Sequence, residues 1–259
     1  MTDNLTLPAN GSFSFPGRTA LVTGAGRGIG AAIAKELHVG GAKVAVSDVD
    51  VAAADGVARS LDPTGATAIS LELDVRRKVD FETARDRLVK LWGKVDIVVN
   101  NAGYAKRTPT LDITPEEFDE IVAINMRSVF FSCQVFSEHM RSLGYGRIVN
   151  ITSLAGQNGG TVAAAHYAAS KAGAIMLTKY FANDLAGSAV TVNAISPGPV
   201  GTAKGRLSAE QVARIEGMVP IGRFCEASEI AAAAALLASD RGGFFVGATL
   251  DMNGGLYLR

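Results

Sequence analysis

The sequence predicts an α/β domain whose parallel sheet is covered by helices on both faces. Three observations carry that expectation. From Arg18 onward, short β-branched runs alternate with helical stretches, the pattern of repeated βαβ units. The runs show little apolar/polar alternation, as strands do when both faces are buried. The first run leads straight into a glycine-rich turn and a helix.

The strands are expected at 20–23, 44–47, 68–73, 95–99, 148–152, 190–195 and near 249–250, and the helices at 29–39, 51–60, 79–92, 115–143, 166–186, 208–217 and 226–238. The helix at 115–143 has a clear start. Thr114 is a good N-cap, Pro115 suits the first helical position, and Glu116 and Glu117 suit the positive end of the dipole. Its apolar residues wrap around more than one face, so it predicts either a second subunit or deep burial within the monomer. No Pro/Ser-rich linker interrupts the pattern. A single domain is expected over 17–259, with a flexible lead-in at 1–16 and a substrate loop at about 199–220.

Composition narrows the function classes. The chain has 25 basic and 25 acidic residues and a net charge of zero, which disfavours nucleic-acid binding through a basic face. Cys133 and Cys225 lie far apart, and His38, His139 and His166 are scattered, so no metal site or disulfide framework is expected. The N-terminal residues lack the basic start and apolar core of a signal peptide. The longest apolar run, 230–238, is far short of the ~20 residues of a membrane span. A cytoplasmic protein without membrane partners is expected.

The turn Thr23-Gly24-Ala25-Gly26-Arg27-Gly28-Ile29-Gly30 joins a strand to a helix. Glycines there let the backbone turn sharply and approach a pyrophosphate at the helix N-terminus. Asp48 stands at the end of the second strand, where a carboxylate accepts from ribose hydroxyls and repels a 2′-phosphate. That favours NAD over NADP, although Arg27 in the loop could contact a 2′-phosphate or pair with Asp48. Asp74 and Val75 follow the third strand, in reach of an adenine ring. Asn100-Asn101-Ala102-Gly103 follows the fourth.

Ser153 ends the strand at 148–152, and Tyr167 and Lys171 share one helix face at i, i+4. A phenol near pKa ~10 exchanges its proton reluctantly at neutral pH, and a nearby ammonium favours the phenolate. His166 points about 100° away along the same helix and is expected on the surface or at an interface.

Thr23-Gly24-x-x-x-Gly28-x-Gly30, Asn100-Asn101-Ala102-Gly103, Asn125, Ser153, Tyr167-x-x-x-Lys171 and Pro197-Gly198 follow one another in this order. From Arg18 to the C-terminus the chain resembles the classical short-chain dehydrogenases/reductases. The resemblance implies a three-layer, Rossmann-type doubly wound fold with seven parallel strands, and a homotetramer. It implies that Tyr167 is the general acid/base, that Ser153 holds the substrate oxygen, that Lys171 binds the nicotinamide ribose and lowers the tyrosine pKa, and that Asn125 holds a relay water. It also implies that Asn101 and Gly103 line the adenosine ribose side, that Pro197, Gly198 and Val200 cradle the nicotinamide amide, and that Thr202 lies near the pyrophosphate.

Substrate contacts are expected from 199–220, 154–162 and 104–110, with Gln157 a polar candidate and Lys204 and Arg206 able to attract an anion or simply solvated. The stretches Gly146-Arg147-Ile148-Val149-Asn150, Tyr167 to Gly173 and Pro220-Ile221-Gly222-Arg223-Phe224 are similar to 3-oxoacyl reductases. Two departures stand against that activity. Asp48 does not suit NADPH, and Glu138 and Ser188 stand where carrier-protein reductases tend to place Arg. The favoured expectation is therefore an NAD-dependent alcohol, polyol, sugar or hydroxyacid dehydrogenase. A 3-oxoacyl reductase acting on carrier-protein or CoA thioesters is the alternative, and a non-catalytic dinucleotide sensor is a third reading.

Overall fold

In a computed structural model, residues 13–159 and 163–258 are described, apart from the side chain of Arg206. The elements run β1 (Thr19–Thr23), α1 (Gly28–Val39), β2 (Lys43–Asp48), α2 (Val51–Leu61), β3 (Ala68–Glu72), α3 (Lys78–Trp92), β4 (Ile97–Asn100), α4 (Pro115–Val122) and α5 (Ser128–Leu143). They continue with β5 (Gly146–Ile151), α6 (Ala155–Asn158), α7 (Ala165–Asp184), β6 (Val190–Pro197), α8 (Ala209–Met218), α9 (Ala227–Ala238) and β7 (Thr249–Met252).

The seven strands form one sheet in the order 3-2-1-4-5-6-7. Every pairing is parallel. Parallel neighbours need crossovers, and the helices supply them on both faces, which explains why β1, β4, β5 and β6 are buried along their whole length. One core lies under α1 and α9, with Ile33, Leu37, Ile230 and Leu237 fully buried. The other lies under α3, α5 and α7, with Leu88, Phe136, Met140 and Phe181. Among the described residues no helix is long and apolar enough to cross a membrane.

Two local findings differ from the sequence expectation, and a third favours one of its two alternatives. The long helix at 115–143 is interrupted by a π-helical turn, Ala123–Arg127, that carries Asn125. The monomer itself buries Val129, Cys133, Val135, Phe136 and Met140 of α5, so most of that helix's apolar surplus is core. The expected lead-in is not free at its end, because Phe15 is 2% exposed in the α1/α9 core and its N–H donates to the Gly40 carbonyl. Residues 1–12 lie outside the described part.

Candidate active site

The strand order reverses between β1 and β4, and the turns after both strands open at the carboxyl edge of the sheet. Gly24 has φ +60° and Gly28 φ +61°, the left-handed region that favours glycine. A Cβ on Gly24 would lie 2.7 Å from Ala102 Cα, and one on Gly30 would lie 2.5 Å from Asn101 Nδ2. The first turn therefore packs directly on the turn after β4. Asn101 ties them together, its Nδ2 donating to the carbonyls of Thr23 and Gly24 at 2.9 Å each. The Thr23 hydroxyl accepts from the Asn101 and Ala102 N–H groups.

Asp48 is 8% exposed, and its two oxygens accept from the N–H groups of Gly26 at 3.0 Å and Asp50 at 3.1 Å. These bonds aim the carboxylate at the edge of the cleft. Arg27 is exposed, and among the described residues no carboxylate pairs with it, so the suggested Arg27–Asp48 pair does not form. Asp74 takes a bidentate hold from Arg76, which keeps its carboxyl below the usual range.

A cleft of about 700 Å³ runs along these groups. Gly24, Arg27, Ile29, Asp48, Asp74 and Val75 line one end. Asn101, Ala102 and Gly103 line the middle, and Ser153, Tyr167, Lys171, Pro197, Gly198, Val200 and Thr202 the other end. Gly26, Gly28 and Gly30 belong to the same turn but are not part of the cleft lining. The glycine cradle, the aimed carboxylate and the length of the cleft fit a dinucleotide.

At the far end, the Ser153 hydroxyl bonds the Tyr167 phenol and accepts from the Ala155 N–H at 3.2 Å. Burial pushes the phenol above its usual value, and the Ser153 bond acts against that shift. Lys171 is 4% exposed, its ammonium donates to the Ile151 carbonyl at 2.9 Å, and burial lowers it to about 8. Its Nζ lies 5.9 Å from the Tyr167 ring centre. The tyrosine is therefore raised, because burial of the phenol outweighs the Ser153 hydrogen bond. Asn125 is 1% exposed and exchanges two hydrogen bonds with the Tyr104 backbone. A Cβ on Gly103 would crowd both Asn125 Oδ1, at 3.1 Å, and Lys171 Nζ, at 3.3 Å. The π turn, the turn after β4 and α7 therefore converge on one point.

A second cavity of about 570 Å³ adjoins the cleft. The two share Ala105, Ser153, Tyr167, Pro197, Gly198 and Val200. Its outer wall is apolar: Leu154, Ala155, Leu207, Ile215, Met218 and Phe224. The segment at 199–225 is closed at its base by hydrogen bonds between Gly201 and Cys225 and between Cys225 and Pro199. It contributes a turn, Gly201–Arg206, and helix α8, which begins with a capping box between Ser208 and Gln211.

Several expected contacts fall elsewhere. Gln157 donates to Asp251 at 2.6 Å, away from the cavity, and Leu154, Ala155 and Asn158 form that part of the wall. α6 is one turn long, and a one-residue step along it turns the side chain by about 100°. Lys204 is neither a free cation nor solvated surface; it pairs with Glu216 at 2.9 Å and lies over the Phe224 ring. Residues 160–162 and the Arg206 side chain lie outside the described part. His166 is fully buried, not on the surface. The residue missed by sequence reasoning is Glu117, which bonds both this histidine and Lys106 of the expected 104–110 wall. Glu117 carried only the signal of an acid in a helical first turn.

A doubly wound sheet with a glycine cradle at its switch point is the framework of a dinucleotide-dependent oxidoreductase. Comparison with known proteins narrows the class. The family described as Enoyl-(Acyl carrier protein) reductase matches residues 24–257. The 3-oxoacyl-[acyl-carrier-protein] reductase FabG of Escherichia coli (strain K12) is 40% identical over 249 residues, covering 95% of this chain and 99% of that protein. The acetoacetyl-CoA reductase of Rhizobium meliloti (strain 1021) is 39% identical over 245 residues, covering 93% and 98%. A crystal structure described as a putative gluconate dehydrogenase from Agrobacterium tumefaciens superposes with a TM-score of 0.88 at 30% identity, over 94% and 97% of the two chains. The chain belongs to the classical short-chain dehydrogenase/reductase family, on its 3-oxoacyl reductase-like side. It is an oxidoreductase of CH–OH groups and their ketones that uses a nicotinamide dinucleotide, not a non-catalytic sensor.

Proposed function

We propose that the chain interconverts 3-oxoacyl and 3-hydroxyacyl thioesters with NAD(H). The carrying observation is the apolar cavity that meets the cleft at Ser153 and Tyr167. A polyol or sugar acid needs a polar partner for each hydroxyl, whereas Leu207, Ile215, Met218 and Phe224 suit an acyl chain. The expectation of an alcohol, polyol, sugar or hydroxyacid substrate therefore yields to its alternative, in line with the two thioester-reductase relatives. Glu138 is exposed on α5 and would repel an acidic carrier protein, which favours a CoA thioester. Asp48, already holding two N–H groups at the cleft edge, favours NAD(H), because a 2′-phosphate there would face a carboxylate.

When bound, the nicotinamide supplies the hydride. Ser153 donates to the carbonyl oxygen and orients it. Tyr167 gives its proton to that oxygen. A phenol held above its usual value keeps its proton at neutral pH, which suits reduction. Lys171, titrating at about 8, returns a proton to Tyr167 after each turnover. Asn125, fixed to the Tyr104 backbone, holds the relay water beside Lys171. A homotetramer is part of this reading, supported by the exposed Phe244, Val246 and Leu258 near the C-terminus.

Reduction of 3-oxoacyl-CoA substrates of increasing chain length by NADH tests the proposal. Each added CH₂ buried in the cavity is worth about 0.8 kcal/mol, so kcat/KM should rise about fourfold per methylene until the cavity fills. Faster turnover of gluconate or a polyol than of any thioester would overturn it.

A further inference from the structure

Helix α7 begins without a side-chain cap at Ala164. Its early N–H groups therefore need partners of another kind. The N–H of Tyr167 finds one in His166, donating to Nδ1 at 2.9 Å. A ring nitrogen that accepts carries no proton, so the neutral ring holds its hydrogen on Nε2. That nitrogen faces Glu117 Oε1 at 2.9 Å, on a helix 49 residues away in sequence. The carboxylate thus selects the tautomer that lets the ring hold Tyr167.

The other Glu117 oxygen pairs with Lys106, and the Thr108 hydroxyl bonds the same carboxylate. Lys106 and Thr108 belong to the segment after β4. Ala105 lines both cavities, and Lys106 and Arg107 line the apolar one. Tyr104, at the start of this segment, is held by Asn125. The Glu117 side chain is 10% exposed, and these bonds, Lys106 foremost, hold its carboxyl down to about 2. It is therefore charged at every working pH.

We propose that Glu117 and His166 are positioning residues which lock the proton donor Tyr167 and the substrate-side segment 104–109 into one register. This deepens the reading of Tyr167 and of the acyl cavity given above. Glu117 acts on Tyr167 through the histidine ring and on the substrate through Lys106 and Thr108. Neither residue touches the reacting atoms.

The two arms predict different kinetics. In the full-length enzyme with acetoacetyl-CoA and NADH, His166→Phe should lower kcat about tenfold and leave the thioester KM within twofold. Glu117→Ala should lower kcat by a similar factor and also raise the thioester KM several-fold, with the KM for NADH unchanged. Glu117→Gln keeps an acceptor for Nε2 but loses the charge facing Lys106. It should recover most of kcat while the thioester KM stays raised. The double variant His166→Phe with Glu117→Ala should be no slower than Glu117→Ala alone, since both act on kcat through one chain of bonds.

Amide hydrogen exchange, read peptide by peptide, gives a readout that needs no substrate. Glu117→Ala should speed exchange about tenfold in peptides covering 104–109 and 163–170. His166→Phe should do so in 163–170 alone. Unchanged exchange in both segments, or kcat and both KM values within twofold of wild type in His166→Phe and Glu117→Ala, would overturn the proposal. If wild type fails to reduce the thioester, the substrate reading falls, and exchange still decides the positioning role.

Discussion

The two ends of the sheet treat buried charge in opposite ways. At the amino edge, Asp96 is 1% exposed and fully partnered. Arg18 lies at 3.2 Å, Lys94 at 3.0 Å, and the Thr19 N–H donates at 2.8 Å. Arg147 donates to the carbonyls of Gly146, Ala189 and Ser239, and the guanidinium groups of Arg18 and Arg147 lie 3.4 and 4.3 Å from the Tyr145 ring centre. At the carboxyl edge, Lys171 is equally buried and is held by the Ile151 carbonyl, with no carboxylate paired to it among the described residues. One end satisfies its charges and serves stability. The other holds a cation away from water without a counter-charge, which costs stability and leaves its proton free to move.

The largest effect should come from removing the proton donor at the carboxyl edge. Tyr167→Phe should lower kcat by about 10²–10⁴ while the thermal midpoint stays close to wild type, checked by steady-state kinetics and calorimetry. The amino edge should respond in the reverse sense. Asp96→Asn leaves Arg18 and Lys94 facing a neutral amide and should cost about 3 kcal/mol of stability in urea unfolding, with kcat unchanged. A smaller effect is expected at the ribose end of the cleft. Wild type should prefer NADH over NADPH in kcat/KM, and Asp48→Ser should narrow that preference about tenfold. A clear NADPH preference in wild type would remove the argument from Asp48.

The comparison also shows which parts of the molecule a sequence can reveal. The central strands were legible to within a residue or two, because burial on both faces writes a continuous apolar run. Gly24 and Gly28 were legible because the left-handed turn they supply, at φ +60° and +61°, is local. The π turn at Asn125 was not. Its extra residue is held by bonds to Tyr104, 21 residues earlier, and no local pattern encodes it. Gln157 was misplaced because a single-turn helix decides which way it points. His166 lies off the active face, as its spacing from Tyr167 requires, but its burial is decided by α4, and a contact that distant leaves no periodic trace. The apolar cavity was hidden for the same reason, since its walls come from 105–107, 154–158 and 203–224 together.

The contrast between the two edges is tested most directly by the pH dependence of stability in wild type and Lys171→Met. The folded-state ammonium titrates at about 8, against its ordinary value of 10.5. Between those values the unfolded chain binds more protons, so stability gains as pH rises. The wild-type-minus-variant difference in unfolding free energy, measured without dinucleotide, should increase by about 3 kcal/mol from pH 7 to pH 10.5. A difference that stays flat or falls over that range would show that Lys171 is as well compensated as Asp96, and the contrast would be gone.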